Sequence, residues 1–162
     1  MAQGDYLLYI KDIQGETKQS GYADYIDVEA YSWGMSQQGT WAVGGGGAQG
    51  KASISDFNFV CKPGKHTAQL MKAVVSGVHP ASAKLVCRKA GGAGTTYEYY
   101  IIDFENLIVS SVSESGAGEG SNSASVSFAF KKVTFDYKEQ QPDGSVQSAA
   151  KAWYDQSAGT NG

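Results

Sequence analysis

Arginine is nearly absent. Arg88 is the only one among 13 basic residues, which are set against 16 acidic ones. A nucleic-acid footprint needs clustered lysine and arginine, and planar bidentate recognition of phosphate depends on arginine. A net charge of −3 with a pI near 5.3 therefore excludes that class of partner. Long apolar runs are missing as well, so no membrane insertion is expected. The opening Met1-Ala2-Gln3-Gly4-Asp5-Tyr6 lacks a basic start and an apolar stretch, so no cleavable secretion signal is read there. Cysteine is limited to Cys61 and Cys87, which allow at most one disulfide. Each sits in the apolar phase of its own strand (Phe57, Phe59, Cys61; Leu85, Cys87), the pattern of buried free thiols. No histidine pair has ligand spacing, so neither a metal nor another cofactor is expected.

Glycine, by contrast, is abundant, at 21 of 162 residues. It shows no G-X-Y period, and an apolar fraction of 41% is near average, which excludes collagen-like and wholly disordered chains. The length suits a single domain over 1–162, able to bury roughly 68–70% of its unfolded surface without a staple. Period-2 alternation dominates. It predicts strands at 5–10 and 25–35, the second with Ile26, Val28 and Ala30 alternating with Asp27, Glu29 and Tyr31. Residues 51–61 alternate with one slip near Asp56, and further strands fall at 83–89, 96–113 and 124–138. In the last, Val126, Phe128 and Phe130 are out of phase with Val133, Phe135 and Tyr137, which predicts a β-bulge at Lys131-Lys132. A bent strand of that length implies a sheet curving toward closure. One segment, about 67–76, has helical spacing, with Leu70, Met71, Val74 and Val75 in a stripe. Thr67 is placed to cap it, and Gly77, Val78 and Pro80 to stop it. The small polar tail, 155–162, is expected to fray. The fold class is mainly all-β, a barrel of two curved antiparallel sheets with one short flanking helix acting as plug or brace.

Candidate chemistry fails motif by motif. Residues 45–52 satisfy G-x-x-x-x-G-K, but Ala52 stands where a hydroxyl should bind the nucleotide's magnesium. The loop also runs into a strand, whereas a phosphate cradle needs a helix N-terminus. Neither His66 nor His79 lies in a triad context, and no G-x-S-x-G elbow occurs. The carboxylate pairs Asp103/Glu105 and Asp27/Glu29 share strand faces as a glycosidase pair would, but alternation puts them on the solvated side. Tyrosine and tryptophan clusters (Tyr97, Tyr99, Tyr100; Tyr22, Tyr25, Tyr31, Trp33) without interleaved cations suit a sugar-binding face or a protein interface. An interaction surface is favoured over an active site.

Several blocks in order resemble the haemolysin-coregulated protein (Hcp) family. They are Gly15-Glu16-Thr17, Ile26-Asp27-Val28, Tyr31-Ser32-Trp33-Gly34-Met35-Ser36-Gln37 and the glycine run ending in Gly50-Lys51. Leu70-Met71, Lys84-Leu85 through Arg88-Lys89-Ala90-Gly91, residues 107–113 and 126–137, Asp143-Gly144 and Lys151-Ala152-Trp153 continue the series. The resemblance covers roughly residues 5–154. It implies a non-enzymatic tube subunit of the bacterial type VI secretion system, in which homohexameric rings stack into an inner tube. The implied partners are further copies of the chain, a contractile sheath, a trimeric spike protein and small effectors chaperoned in the ring's lumen. Assembly in the cytoplasm and export without a cleavable signal follow from the same resemblance. It places Ser32 in the lumen-lining segment. The glycine-rich loop 37–51, with Gln38, Trp41, Gly44, Gly45, Gly46, Gly47, Gly50 and Lys51, is the expected stacking or inter-subunit element, since glycines permit close backbone approach. A phage tail-tube subunit, and a carbohydrate-active or sugar-binding β-sandwich, are the competing readings.

Overall fold

Alternating β-branched and aromatic residues form strands here because one face of each can be buried while the other stays wet. The computed structural model describes residues 5–37, 39–40, 48–49, 52–91 and 94–162. Along the chain lie β1 (Asp5–Ile10), β2 (Ile26–Ser32), β3 (Met35–Ser36), β4 (Gly39–Thr40), β5 (Ala48–Gln49), β6 (Ser53–Ile54) and β7 (Phe57–Cys61). Helix α1 (Lys65–Ser76) precedes β8 (Ser82–Ala90), β9 (Thr96–Gly116), β10 (Asn122–Gln140), β11 (Val146–Asp155) and β12 (Thr160–Asn161). The pairing order β10-β7-β2-β1-β8-β9 closes when β9 returns to β10, giving a six-stranded antiparallel barrel extended beyond β10 by β11 and β12. Closure removes most of the edges that an open sheet would leave exposed.

The β9–β10 hairpin makes closure possible because its strands, 21 and 19 residues long, serve two walls. Residues 124–128 of β10 pair with β7, and residues 132–140 pair with β11. The change of wall occurs where the second phase slip was expected, since Phe130 and Val133 are both buried. It is not the one-strand bulge that the pattern suggested. Phe130 pairs with Leu107 and Lys132 with Glu105, so Lys131 and Asn106 drop out together and the register holds. Asn106 takes the left-handed conformation, φ +57°, which asparagine tolerates better than most residues. The register shift of this hairpin lies between Ser127 and Phe128, with Ser110 as the extra residue. A further shift falls in β2, where Val28 pairs with Cys61 and Ala30 with Val60, leaving Glu29 out. That bulge reverses the expected alternation. Ala30 turns outward, and Tyr31 turns inward to stack on Phe57 with ring centroids 5.7 Å apart.

The core is aromatic. Phe57, Phe104 and Phe128 are fully buried and meet pairwise at 4.9–5.1 Å, and Trp33 closes over Phe104 and Phe130 at 6.2 and 6.0 Å. Such contacts add about 0.5–1.5 kcal/mol each beyond area burial. Both cysteines are free and buried, as their strand phase implied. The lone arginine is structural. Arg88 is 6% exposed, donates from Nη2 to Asp5 (2.8 Å) and Gln19 (3.0 Å), and lies over the Tyr22 ring.

Helix α1 starts earlier than the expected 67. Gly64 is the N-cap, and Thr67 caps from within the first turn, its hydroxyl accepting the Gly64 N–H at 3.0 Å. Glu16 accepts the exposed Lys65 N–H at 3.0 Å, supplying the negative charge that a helix start favours. Gly77, at φ +69°, ends the helix as expected. The buried side is His66, Thr67, Leu70 and Ala73, so only Leu70 of the expected stripe plugs the barrel. Met71, Val74 and Val75 face outward, Val75 with 85% of its surface exposed. The 3-and-4 spacing of residues 66, 70 and 73 is as helical as that of the apolar set, and packing chose between the two faces.

In the tail, where fraying was expected, the structure places a turn and a short strand. Asp155 Oδ1 accepts the N–H groups of Ser157 (3.0 Å) and Ala158 (3.1 Å), an aspartate-driven turn that sends β12 back along β11. Gly162 then exchanges two backbone hydrogen bonds with Trp153.

Candidate functional site

Ser32 ends β2 on the exposed face, and the register carries it into a row that spans four strands. Ser32 pairs with Asn58 of β7, Asn58 with Ser127 of β10, and Ser127 with Ser111 of β9. One rung along, Ala30 faces Val60, Val60 faces Ser125, and Ser125 faces Ser113; Ser123 and Ser115 form the next pair. The result is a shallow hollow of about 450 Å³ whose wall is short and mostly hydroxylic. These side chains face out because their strand neighbours Phe57, Phe59, Val126 and Phe128 face the core.

The hydroxyls are engaged with one another and with the backbone. The Ser127 hydroxyl donates to Asn58 Oδ1, and Asn58 Nδ2 donates to the Asp56 carbonyl at 3.2 Å. Ser110 Oγ donates to Asp56 Oδ2 at 2.8 Å and to the Ser127 carbonyl at 3.1 Å. The Ser115 and Ser123 hydroxyls meet at 3.1 Å. Among the described residues, no histidine, lysine, aspartate or glutamate lines this hollow. The arrangement offers neutral hydrogen-bonding groups on a surface with little shape. The signal for it was present in the Ser-x-Ser runs at 111–115 and 123–127, of which sequence reasoning used none.

Residues 38, 41–47, 50 and 51 lie outside the described residues, and with them Gln38, Trp41, Gly44, Gly45, Gly46, Gly47, Gly50 and Lys51. The described flanks of that loop form a ribbon, with Met35 opposite Ile54, Ser36 opposite Ser53, Gly39 opposite Gln49 and Thr40 opposite Ala48. The slip near Asp56 is where the chain leaves this ribbon and joins the barrel as β7. Gly34 and Ser55 lock its base, the Ser55 hydroxyl accepting the Gly34 N–H at 2.8 Å.

The carboxylate pairs stand where alternation put them. Asp27, Glu29, Asp103 and Glu105 are exposed, with Glu29 3.6 Å from Lys62 and Glu105 3.6 Å from Lys132. His66 is buried, its Nε2 3.1 Å from the Lys62 carbonyl and 3.5 Å from Cys61 Sγ, and burial holds its pKa below the ordinary value. His79 is exposed at the end of α1. Among the described residues no group of three or more metal-ligating side chains occurs, and no helix is long and apolar enough to cross a membrane.

Comparison with known proteins bears on the whole chain. Residues 7–137 match the family described as "Type VI secretion system effector, Hcp". Protein hcp1 of Pseudomonas aeruginosa is 44% identical over 141 residues, 86% of each chain. Among solved structures, one described as a type six secretion system protein aligns with a TM-score of 0.89 at 23% identity, over 99% of this chain and 100% of that one. Hcp1 from Salmonella typhimurium aligns with a TM-score of 0.76 at 29% identity over 99% of both chains.

Proposed function

Because the chain belongs to the Hcp family of type VI secretion proteins, we propose that its copies close into hexameric rings that stack into a tube. The Ser32–Asn58–Ser127–Ser111 row then faces the lumen and touches cargo. That row carries the reading. It joins the family's lumen segment at Ser32 to three other strands in one continuous neutral face. A conduit that must hold a small effector and release it is served by weak hydrogen-bonding groups without fixed charge, since each neutral hydrogen bond exchanged with water is worth only about 0.5–1.5 kcal/mol.

Ring closure needs two different faces on one subunit, a heterologous contact that returns on itself. Two strand edges without a partner among the described residues supply them: residues 108–116 of β9 and 146–152 of β11. Unpaired edge N–H and C=O groups favour another chain as neighbour. The ribbon of residues 35–54 serves the stacking contact. Sheath and spike bind the finished tube, and assembly takes place in the cytoplasm before export.

Electron microscopy of the purified chain at tens of micromolar tests the ring. Six-fold rings are expected, and a monomer at that concentration overturns the reading. Ser32→Lys is expected to leave rings intact while reducing effector co-purification. Unchanged co-purification removes the lumen role from this face.

A further inference from the structure

His66 lies in the first turn of α1 and is 5% exposed. Its two ring nitrogens have unequal surroundings. Nε2 stands 3.1 Å from the Lys62 carbonyl, which can only accept, so Nε2 carries the hydrogen of the neutral ring. Nδ1 is then a bare acceptor. It is buried and has no hydrogen-bond partner among the described residues. Such an atom has given up its bond to water and gained nothing in exchange.

Space for a partner lies beside Gly64. A Cβ on Gly64 would stand 3.1 Å from His66 Nδ1 and 3.2 Å from the carboxyl carbon of Glu16. The glycine therefore keeps open a gap with the bare nitrogen on one side and a carboxylate on the other. Its φ of −163° is extended backbone that any residue adopts, so a side chain there would disturb the gap and not the chain path. Glu16 reaches this place from the connection between β1 and β2, and its Oε1 accepts the Lys65 N–H, the first amide of α1, at 3.0 Å.

Among the described residues, the charges acting on the ring are Glu16 and Asp27. Both favour its charged form, and burial opposes them and prevails. Lys62 is turned to Glu29 at 3.6 Å, and Lys65 is exposed. Cys61 Sγ lies 3.5 Å from Nε2, and burial pushes that thiol up to about 11, so it stays neutral in mild acid.

We infer that His66 and Glu16 form an acid-responsive latch at the start of α1. At neutral pH Glu16 holds the Lys65 amide; when Nδ1 takes up a proton, Glu16 turns to the new N–H and lets that amide go. One acceptor passes between two donors, and its bond to an imidazolium is stronger than its bond to a neutral amide. A buried imidazolium would otherwise leave one N–H unpaired, so proton uptake and the movement of Glu16 go together. The Gly64–Thr67 capping contact and the buried Leu70 do not involve Glu16, and Gln14 N–H still donates to Gln69 Oε1 at 2.7 Å. Acid thus loosens the tie between residue 16 and the first turn of α1 while the barrel stays closed. The latch lies within one chain and goes beyond the tube reading without depending on it.

Nuclear magnetic resonance of the full chain with ring-labelled histidine tests the latch. The chain has two histidines, so two ring signals are expected, and His79→Gln, an exposed change, assigns them. Between pH 7.5 and 4.5 His66 is expected to gain its proton on Nδ1. Glu16→Gln is expected to lower the midpoint of that titration by about 0.5 pH unit or more, because it removes the charge that receives the new N–H. Hydrogen exchange, corrected for the intrinsic rate at each pH, follows the other half of the exchange. Protection of the Lys65 amide is expected to fall severalfold as His66 charges, while the amides of residues 70–74 in the same helix keep theirs. A His66 that stays neutral down to pH 4.5 overturns the latch. So does a midpoint that Glu16→Gln leaves unmoved, or a loss of protection shared equally along α1.

Discussion

Replacing Leu70 and Val75 separately by alanine puts the helix packing to a quantitative test. The two residues sit five apart on α1 and belong to the same apolar set by sequence, yet Leu70 is fully buried and Val75 is 85% exposed. Leu70→Ala removes about three carbon groups from a closed core, about 2.4 kcal/mol of transfer free energy at about 0.8 per group. The cavity adds to that, and buried leucine truncations cost about 2.7–5 kcal/mol in total. A loss near 3.5 kcal/mol corresponds to a Tm lower by about 7–14 °C for a chain of this size. Val75→Ala has almost no burial to lose and is expected to stay within about 0.5 kcal/mol. Urea unfolding followed by far-UV circular dichroism, at matched subunit concentration, measures both. Equal losses, or a larger loss at Val75, would refute the assignment of the plug face.

The thiols give a second expectation. Burial pushes Cys61 and Cys87 up to about 11, so a thiol reagent at pH 8 should label neither in the native protein and both in denaturant. Rapid native labelling of either would contradict the closed barrel. His66 gives a third. Its pKa is lowered by burial, against the opposing influence of the Lys62 carbonyl, Glu16 and Asp27, so the unfolded chain takes up a proton before the folded one does. Its contribution to stability is complete above its unfolded value of about 6.5 and declines as pH falls below it, by at most about 1.4 kcal/mol per pH unit. A pH series of Tm from 7.5 to about 5, with His66→Gln for comparison, should show a shallower slope in the variant, and identical slopes would sink the idea.

Strand positions were readable because alternation records which face of each strand is wet. Residues 5–10 emerged as a strand and 57–61 with the expected inward set, and Gly77 ended the helix where its freedom to adopt positive φ was needed. The bulge at Glu29 was not readable, because an alternation of Ile26, Val28 and Ala30 has no internal sign that one residue must be skipped. The skip sets Tyr31 rather than Ala30 opposite Phe59, a choice made by packing against β7. In the same way, the pair Asn106 and Lys131 leaves its mark on the periodicity of β10, but whether one strand or both slip depends on the partner strand. The turn in the tail was not readable because small polar residues mark both loose ends and tight turns, and Asp155 decides for the turn only once β11 exists to receive β12.

What the sequence determined by itself was a low-charge β-protein with one helix and two buried thiols. Each of those follows from local pattern or composition, which burial and charge act on directly. Only the tertiary structure decided which side of α1 is buried and which is left apolar toward solvent. It alone brought Ser32, Asn58, Ser127 and Ser111 into one row. Cross-strand register joins residues far apart along the chain, and the turns, bulges and partner strands that set it act together.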